Sequence, residues 1–348
     1  MSTTDPNRPQ RGEFSDENLI FLISQPRAGS TLLQSILGGL EQVHTVSEPW
    51  LMLHPLYALR ERGHTAEYDA VVANRALVDF LATLDNGERD YLAAVRKMAL
   101  HLYGVACTQA GKLIFLDKTP RYYRILPELR QVFPRARYII LLRNPAAVLS
   151  SILHTWVNNN WIGFGYFRDD LLLAPKLLAE FLAASGDQAI LVSYESLLLD
   201  PETTTQTICD YLQQPYDPKL LRYGERAPLA GRYGDPSGIG RHNMPSAESL
   251  NQWLVRARDP QVNHLLAAYL HDLGPDMIAK MGYDSDVLLA ALESVVQEPG
   301  RPVVTWSQLL KQDKTFSDKL WLVLQEARHD RRPSHIAKKF IRLLTNQI

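Results

Sequence analysis

Hydrophobic residues fall along this chain in two rhythms. Four short unbroken apolar runs, at 19–23 (LIFLI), 113–116 (LIFL), 138–142 (YIILL) and 189–192 (AILV), have the length and composition of strands, the first and third as a buried and a central parallel strand should be. Elsewhere apolar residues return every three or four positions, as on one face of a helix. That second rhythm covers Leu32, Leu33, Ile36 and Leu37, then 125–133, 145–155, 201–212 and most of 260–348. It also runs through 56–107, at Val71, Val72, Leu77, Phe80, Leu81, Leu84, Tyr91, Leu92, Val95, Met98, Ala99 and Leu102. Strands separated by helical segments predict an α/β chain, a central parallel sheet flanked by helices. The 56–107 stretch is expected as an inserted helical layer with its stripe mostly in the core, and 41–50 as a loop.

Polar residues with chemical reach interrupt this pattern at the strand ends. After 19–23 the chain turns through Gln25-Pro26, Arg27, Ala28, Gly29, Ser30 and Thr31. Gly29 allows close backbone approach, the first helical N–H groups point back into the turn, and Arg27 adds a fixed charge beside two hydroxyls. Such a turn suits an anion. Gly29 stands where a nucleotide-hydrolysing P-loop requires a lysine, which weighs against a kinase. Lys118 stands at the end of the second strand, just before Thr119-Pro120, and is placed to reach a ligand at the carboxyl edge of the sheet. A solvated loop lysine is the alternative.

The third strand ends at Arg143-Asn144-Pro145, where Asn144 reads as an N-cap and Pro145 as the first helical residue. Ser151 lies eight positions beyond Arg143, about two turns into the helix. A guanidinium that can grip phosphate through two N–H groups, with a hydroxyl nearby, makes a second anion cradle. Glu48 lies 21 positions beyond Arg27. A three-turn helix and a return loop would carry it back over the first turn, although a surface glutamate before a proline is the ordinary reading.

The run PRAGST at 26–31 resembles the 5′-phosphosulfate loop, P-[RK]-x-G-[ST]-[ST], of sulfotransferases that use 3′-phosphoadenosine-5′-phosphosulfate (PAPS). Residues 143–151 resemble the 3′-phosphate signature of the same family, R-[ND]-P-x-x-x-x-x-S. The resemblance implies a P-loop-like sheet with helical insertions and a helical C-terminal region. It also implies PAPS as donor, its desulfated form PAP as product, and no metal. Arg27, Ala28, Gly29, Ser30, Thr31 and Leu32 would hold the 5′-phosphosulfate, and Arg143 and Ser151 the 3′-phosphate. Glu48 would be the general base, as an acidic residue at a similar place is in tyrosylprotein and carbohydrate sulfotransferases. Lys118 and Arg27 would stabilise the developing charge. Cytosolic aryl and steroid members carry a catalytic histidine two positions after this lysine; Pro120 stands there in this chain, which shifts the base to Glu48.

The run from 192, VSYESLLLDPE, resembles the Y-E-[DS]-L segment of the family and implies Tyr194 as a cofactor contact; a core tyrosine is the alternative. In the glycine-rich stretch 231–253, Arg241 or His242 would supply a further cation to the 3′-phosphate. Trp156, Trp161, Phe164, Tyr166 and Phe167, interleaved with Asn158, Asn159 and Asn160, read either as an acceptor lid or as a hydrophobic satellite.

Composition narrows the partners. A formal net charge of −1 over 348 residues argues against bulk attraction to nucleic acid or acidic membranes, so the anion sites are local. Cys107 and Cys209 have neither metal-site nor disulfide-framework spacing, and no apolar run reaches membrane-spanning length. Residues 1–17 are expected as a disordered leader, 18–275 as the α/β domain and 276–348 as a helical extension packed on it, in a cytoplasmic protein. The amphipathic stretch 334–344 is read as a packing helix. The acceptor stays open among a phenol, a sugar, a lipid alcohol, a peptide tyrosine and a carrier-bound β-hydroxyl. A P-loop kinase or hydrolase, and a non-catalytic nucleotide-binding protein, are the competing readings.

Overall fold

The computed structural model describes residues 13–61, 63, 66–157, 161–227, 229–230, 243–295 and 302–311. Its first half runs β1 (Leu19–Ser24), α1 (Ser30–Leu37), β2 (Val43–Thr45), α2 (Leu53–Tyr57), α3 (Ala70–Leu81), α4 (Glu88–Ala110) and β3 (Ile114–Lys118). The chain continues through α5 (Leu126–Val132), β4 (Arg137–Leu142), α6 (Pro145–Ile152), α7 (Arg168–Ser185) and β5 (Ala189–Ser193). After these come α8 (Tyr194–Leu199), α9 (Pro201–Leu212), α10 (Gln252–Arg256), α11 (Pro260–Leu273), α12 (Pro275–Lys280), α13 (Ser285–Val295) and α14 (Trp306–Leu310).

The sheet order is β2-β3-β1-β4-β5, and every neighbouring pair is parallel. All carboxyl ends therefore open onto one edge, and β1 sits between its two crossovers, the position at which open α/β sheets bind ligands. β1 is buried throughout because it is apolar on both faces. Its Leu19, Phe21 and Ile23 join Tyr138 and Ile140 of β4 in a core closed by α4, α5 and α7, while Ile20 and Leu22 join Ile139 and Leu141 beneath α1 and α9. A third core lies beyond α6, where α11, α13 and α14 add Tyr269, Leu292 and Trp306. Each fully buried Leu, Ile or Phe contributes about 1.5–3 kcal/mol. An exposed pair such as Arg75–Glu61 contributes under about 1 kcal/mol. The sheet faces, not surface charge, hold this fold.

Several expectations need correction. The loop foreseen over 41–50 contains β2, a three-residue edge strand too short to register as a pattern. The second strand runs two residues beyond its apolar run, and Lys118 stands at its end as expected. The helix foreseen over 145–155 ends at Ile152 and continues as one π-helical turn, Leu153–Val157. The 56–107 stretch is three helices, and its stripe is not mainly core. Of the twelve positions only Leu81, Val95 and Ala99 are buried, and Val72, Phe80, Met98 and Leu102 are exposed. The inward face of α4 is narrower, Val95, Ala99, Tyr103 and Cys107 at four-residue steps, because a single row of contacts suffices to cover the sheet.

Residues 13–17, counted with the leader for their polarity, are anchored. Asp16 is fully buried between Arg96 (2.6 Å) and Arg135 (3.0 Å). Burial opposes its ionisation, but the hydrogen bonds from Arg96 and from the Arg135 backbone outweigh that and hold its carboxyl below the usual range. The stretch 334–344 and Asn158, Asn159 and Asn160 lie outside the described residues. Of the aromatic cluster, Phe164 and Phe167 are buried, with Phe164 edge-on to Trp306 at 5.5 Å, whereas Tyr166 turns toward Arg121. No helix among the described residues is long and apolar enough to cross a membrane.

Candidate active site

The turn after β1 is built by two residues with left-handed backbone, Arg27 (φ 72°) and Gly29 (φ 98°). Gly29 is required twice over. Its φ strains any side chain, and a Cβ there would lie 2.3 Å from Cδ2 of Tyr194. As N-cap of α1, its carbonyl accepts from the N–H groups of Leu32 (3.0 Å) and Leu33 (3.2 Å). The N–H groups of Ser30 and Thr31 have no acceptor within the helix and face the turn. Ala28 is buried and donates its N–H to the Gln25 carbonyl at 3.2 Å, which closes the turn.

On the β3 side, Lys118 is fully buried and donates from Nζ to Glu48 Oε1 at 2.7 Å and to Thr31 Oγ1 at 3.4 Å. The return loop therefore brings Glu48 onto the lysine. The other carboxylate oxygen, Oε2, accepts from the Trp50 indole N–H at 3.0 Å. Beneath them Asp117 is fully buried and accepts from Tyr103 (2.7 Å), Thr119 (2.8 Å) and Tyr122 (3.1 Å). Burial dominates its environment and raises its pKa to about 6, against the lowering effect of those three donors.

On the β4 side, the Asn144 side chain caps α6 by accepting from Ala146 (2.9 Å) and Ala147 (3.4 Å), as its position predicts. The cap residue is itself held by Glu195, which accepts from the Asn144 N–H (3.1 Å), Ser193 Oγ (3.1 Å) and the Tyr283 hydroxyl (2.5 Å). Arg143 NH1 donates to the Arg27 carbonyl at 3.1 Å, and Arg27 Nε donates to Ser151 Oγ at 3.1 Å. The two anion turns are thus directly joined, with Arg27 bonded to both Arg143 and Ser151. The Arg143 guanidinium lies 4.2 Å above the Tyr194 ring, and its Nε is buried without a hydrogen-bond partner among the described residues.

Arg256, at the end of α10, was not singled out in the sequence. It is half-buried, and burial together with the charges of Arg143 and Arg27 lowers its pKa. Cations crowded this closely are costly unless an anion joins them. No motif spacing marks Arg256, because α10 reaches the site through the fold. Arg241 and His242 lie outside the described residues. Arg121 is equally absent from the sequence reading. It is held on Asp170 by contacts of 3.1, 3.2 and 2.6 Å and donates to the Tyr166 hydroxyl. No cluster of three or more His, Cys, Asp or Glu among the described residues could hold a metal ion.

The profile of the sulfotransferase family matches residues 19–218, which is 200 of the 348 positions and spans β1 through α9. The nodulation protein NoeE of Sinorhizobium fredii is 36% identical over 138 residues, 40% of this chain, and the match spans only 32% of NoeE itself. Protein-tyrosine sulfotransferase A of Caenorhabditis elegans is 23% identical over 282 residues, 76% of this chain and 67% of its own length. Among solved structures, the sulfotransferase domain from the curacin biosynthetic pathway has a TM-score of 0.48 at 20% identity, over 67% of this chain and 89% of that domain. With more than half of its length, including both anion turns, inside that profile, this chain belongs to the sulfotransferase family.

Proposed function

We propose that the chain transfers a sulfuryl group from PAPS to a hydroxyl or amine of its acceptor by in-line displacement, with Glu48 as the base. One observation carries this reading: Lys118 Nζ bridges Glu48 Oε1 and Thr31 Oγ1, so a base, a buried cation and an anion-binding turn meet at one point. In the proposed reaction the acceptor oxygen or nitrogen bonds to sulfur as the bond from sulfur to the bridging phosphate oxygen breaks. The acceptor proton passes to Glu48, and charge on the departing oxygen is met by Lys118 and Arg27.

The residues present fit the donor. Arg143 has a buried N–H without a partner, and Arg27 and Arg256 crowd the same place. A 3′-phosphate there would relieve both. Arg256 then supplies the further cation sought at Arg241. Ser30, Thr31 and the first N–H groups of α1 suit the 5′-phosphosulfate, with Ala28 and Leu32 shaping that turn, and Tyr194 fixes Arg143 from below.

Incubating the chain with sulfur-labelled PAPS and a panel of phenols, sugars, lipid alcohols and tyrosine peptides tests the reading. Label should pass to one class, in EDTA as well as without it, and transfer should fall sharply in Glu48→Gln while PAP still binds. Transfer at the parental rate by Glu48→Gln would remove Glu48 as base, and no uptake of PAP by calorimetry would remove the donor assignment.

A further inference from the structure

The carboxylate of Glu48 is held from two sides by unlike donors. Oε1 meets the ammonium of Lys118 at 2.7 Å, and Oε2 meets the neutral indole N–H of Trp50 at 3.0 Å. Resting on the reading of Glu48 as base, we propose that Trp50 is a positioning residue. It anchors Oε2 throughout the reaction, and Oε1 is the atom that takes the acceptor proton.

The division follows from what each donor must do. Lys118 serves both Glu48 and the departing oxygen, so its hold on Oε1 loosens as charge develops there, and Trp50 is the donor that stays with the carboxylate. A carboxylate released on both sides would rotate, and a misplacement of about 1 Å costs a reaction on the order of a hundredfold. Trp50 prevents that rotation without removing the charge, because an indole N–H favours the ionised carboxylate but carries no net charge of its own.

The backbone and the ring are both fixed for this task. Pro49 makes the link between Glu48 and Trp50 stiff, and Trp50 itself has φ 55°, a left-handed conformation that a bulky side chain rarely adopts. Surrounding contacts must hold such a residue in place. Arg121 lies 6.0 Å from the Trp50 ring centroid and 4.2 Å from that of Tyr166, and its guanidinium is bound to the buried Asp170. Further on, the Met52 N–H donates to the Tyr122 hydroxyl at 3.0 Å, and Tyr122 donates to Asp117. The loop carrying Glu48 is pinned at Trp50 and again at Met52 to groups that the proposed chemistry does not consume.

The test uses the whole chain with its tryptophans labelled by nitrogen-15, which supplies six indole signals. One indole proton should lie downfield at a fixed neutral pH, bound to a carboxylate, and move upfield in Glu48→Gln. It should stay downfield in Lys118→Met and on addition of PAP, since the anchor is independent of the lysine. If no indole signal differs between the parental chain and Glu48→Gln, or if the signal is lost in Lys118→Met, the proposal is overturned. On the acceptor found in the PAPS screen, Trp50→Phe should lower kcat between about tenfold and a hundredfold. PAP affinity should hold within about twofold, and Trp50→His, which restores an N–H, should recover part of the rate. Transfer by Trp50→Phe at the parental kcat also overturns it. Parental transfer by Glu48→Gln instead removes the base assignment, a separate failure. Should Trp50→Phe not fold, the indole comparison stands without it.

Discussion

The two flanks of β1 carry cations to the same edge of the sheet and treat them differently. On the β3 flank, Lys118 is fully buried and paired with Glu48, and losing either partner would leave a buried charge uncompensated. On the β4 flank, Arg143 and Arg256 have no carboxylate partner among the described residues; Arg143 packs over Tyr194, and burial with the charge of Arg143 lowers the pKa of Arg256. Glu195 at that turn is occupied by Asn144, Ser193 and Tyr283. One flank pairs its cation with a carboxylate, and the other leaves its cations without one among the described residues. The proposed reaction would assign chemistry to the first flank and affinity to the second.

Substitutions on each flank should therefore separate rate from binding. The largest effect is expected from Glu48→Gln, which should slow transfer by on the order of 10²–10⁴-fold. PAP affinity, read by calorimetry, should stay near parental. Arg143→Ala should do the reverse, weakening PAP by on the order of a hundredfold, about 3 kcal/mol, through loss of a charge-assisted contact. If either variant moved both quantities equally, the division between flanks would be wrong.

Asp117 sharpens the comparison through pH. With its carboxyl raised from 3.8 to about 6, the folded chain binds a proton that the unfolded chain has released between those values. Stability from this group is present below about pH 4 and lost as pH rises through 6, by on the order of 3 kcal/mol. Urea melts of Asp117→Asn should lack that fall. The smallest effect is expected from Arg256→Ala, about a tenfold loss of PAP affinity with a shallower dependence on salt.

The strands and the turn chemistry were legible because they are local. An unbroken apolar run of this length reads as a strand, the cap at Asn144 serves its own neighbours, and the torsion that requires glycine at 29 is set within its own turn. The partnership of Glu48 with Lys118 was legible only as reach, since no local pattern fixes which donor a loop carboxylate will meet across 70 residues. Arg256 could not be read at all, because only the fold carries α10 to the site. Trp50 and Glu195 stand beside residues the sequence does mark, Glu48 and Tyr194, but no spacing says that an indole N–H will meet that carboxylate or that Glu195 will meet Asn144 across 51 residues. The apolar stripe of 56–107 misled for a related reason: helical period tells that a face exists, not that something covers it.

The contact between Gly29 and Tyr194 has a consequence for anyone who randomises this turn. Position 29 is guarded by two independent locks, a torsion angle and an aromatic wall. Trimming the wall to alanine at 194 opens space for a methyl group but leaves the torsion unpaid. A selection at these two codons should return compensated pairs rarely, and then with asparagine or aspartate at 29, whose short polar side chains tolerate that half of conformational space.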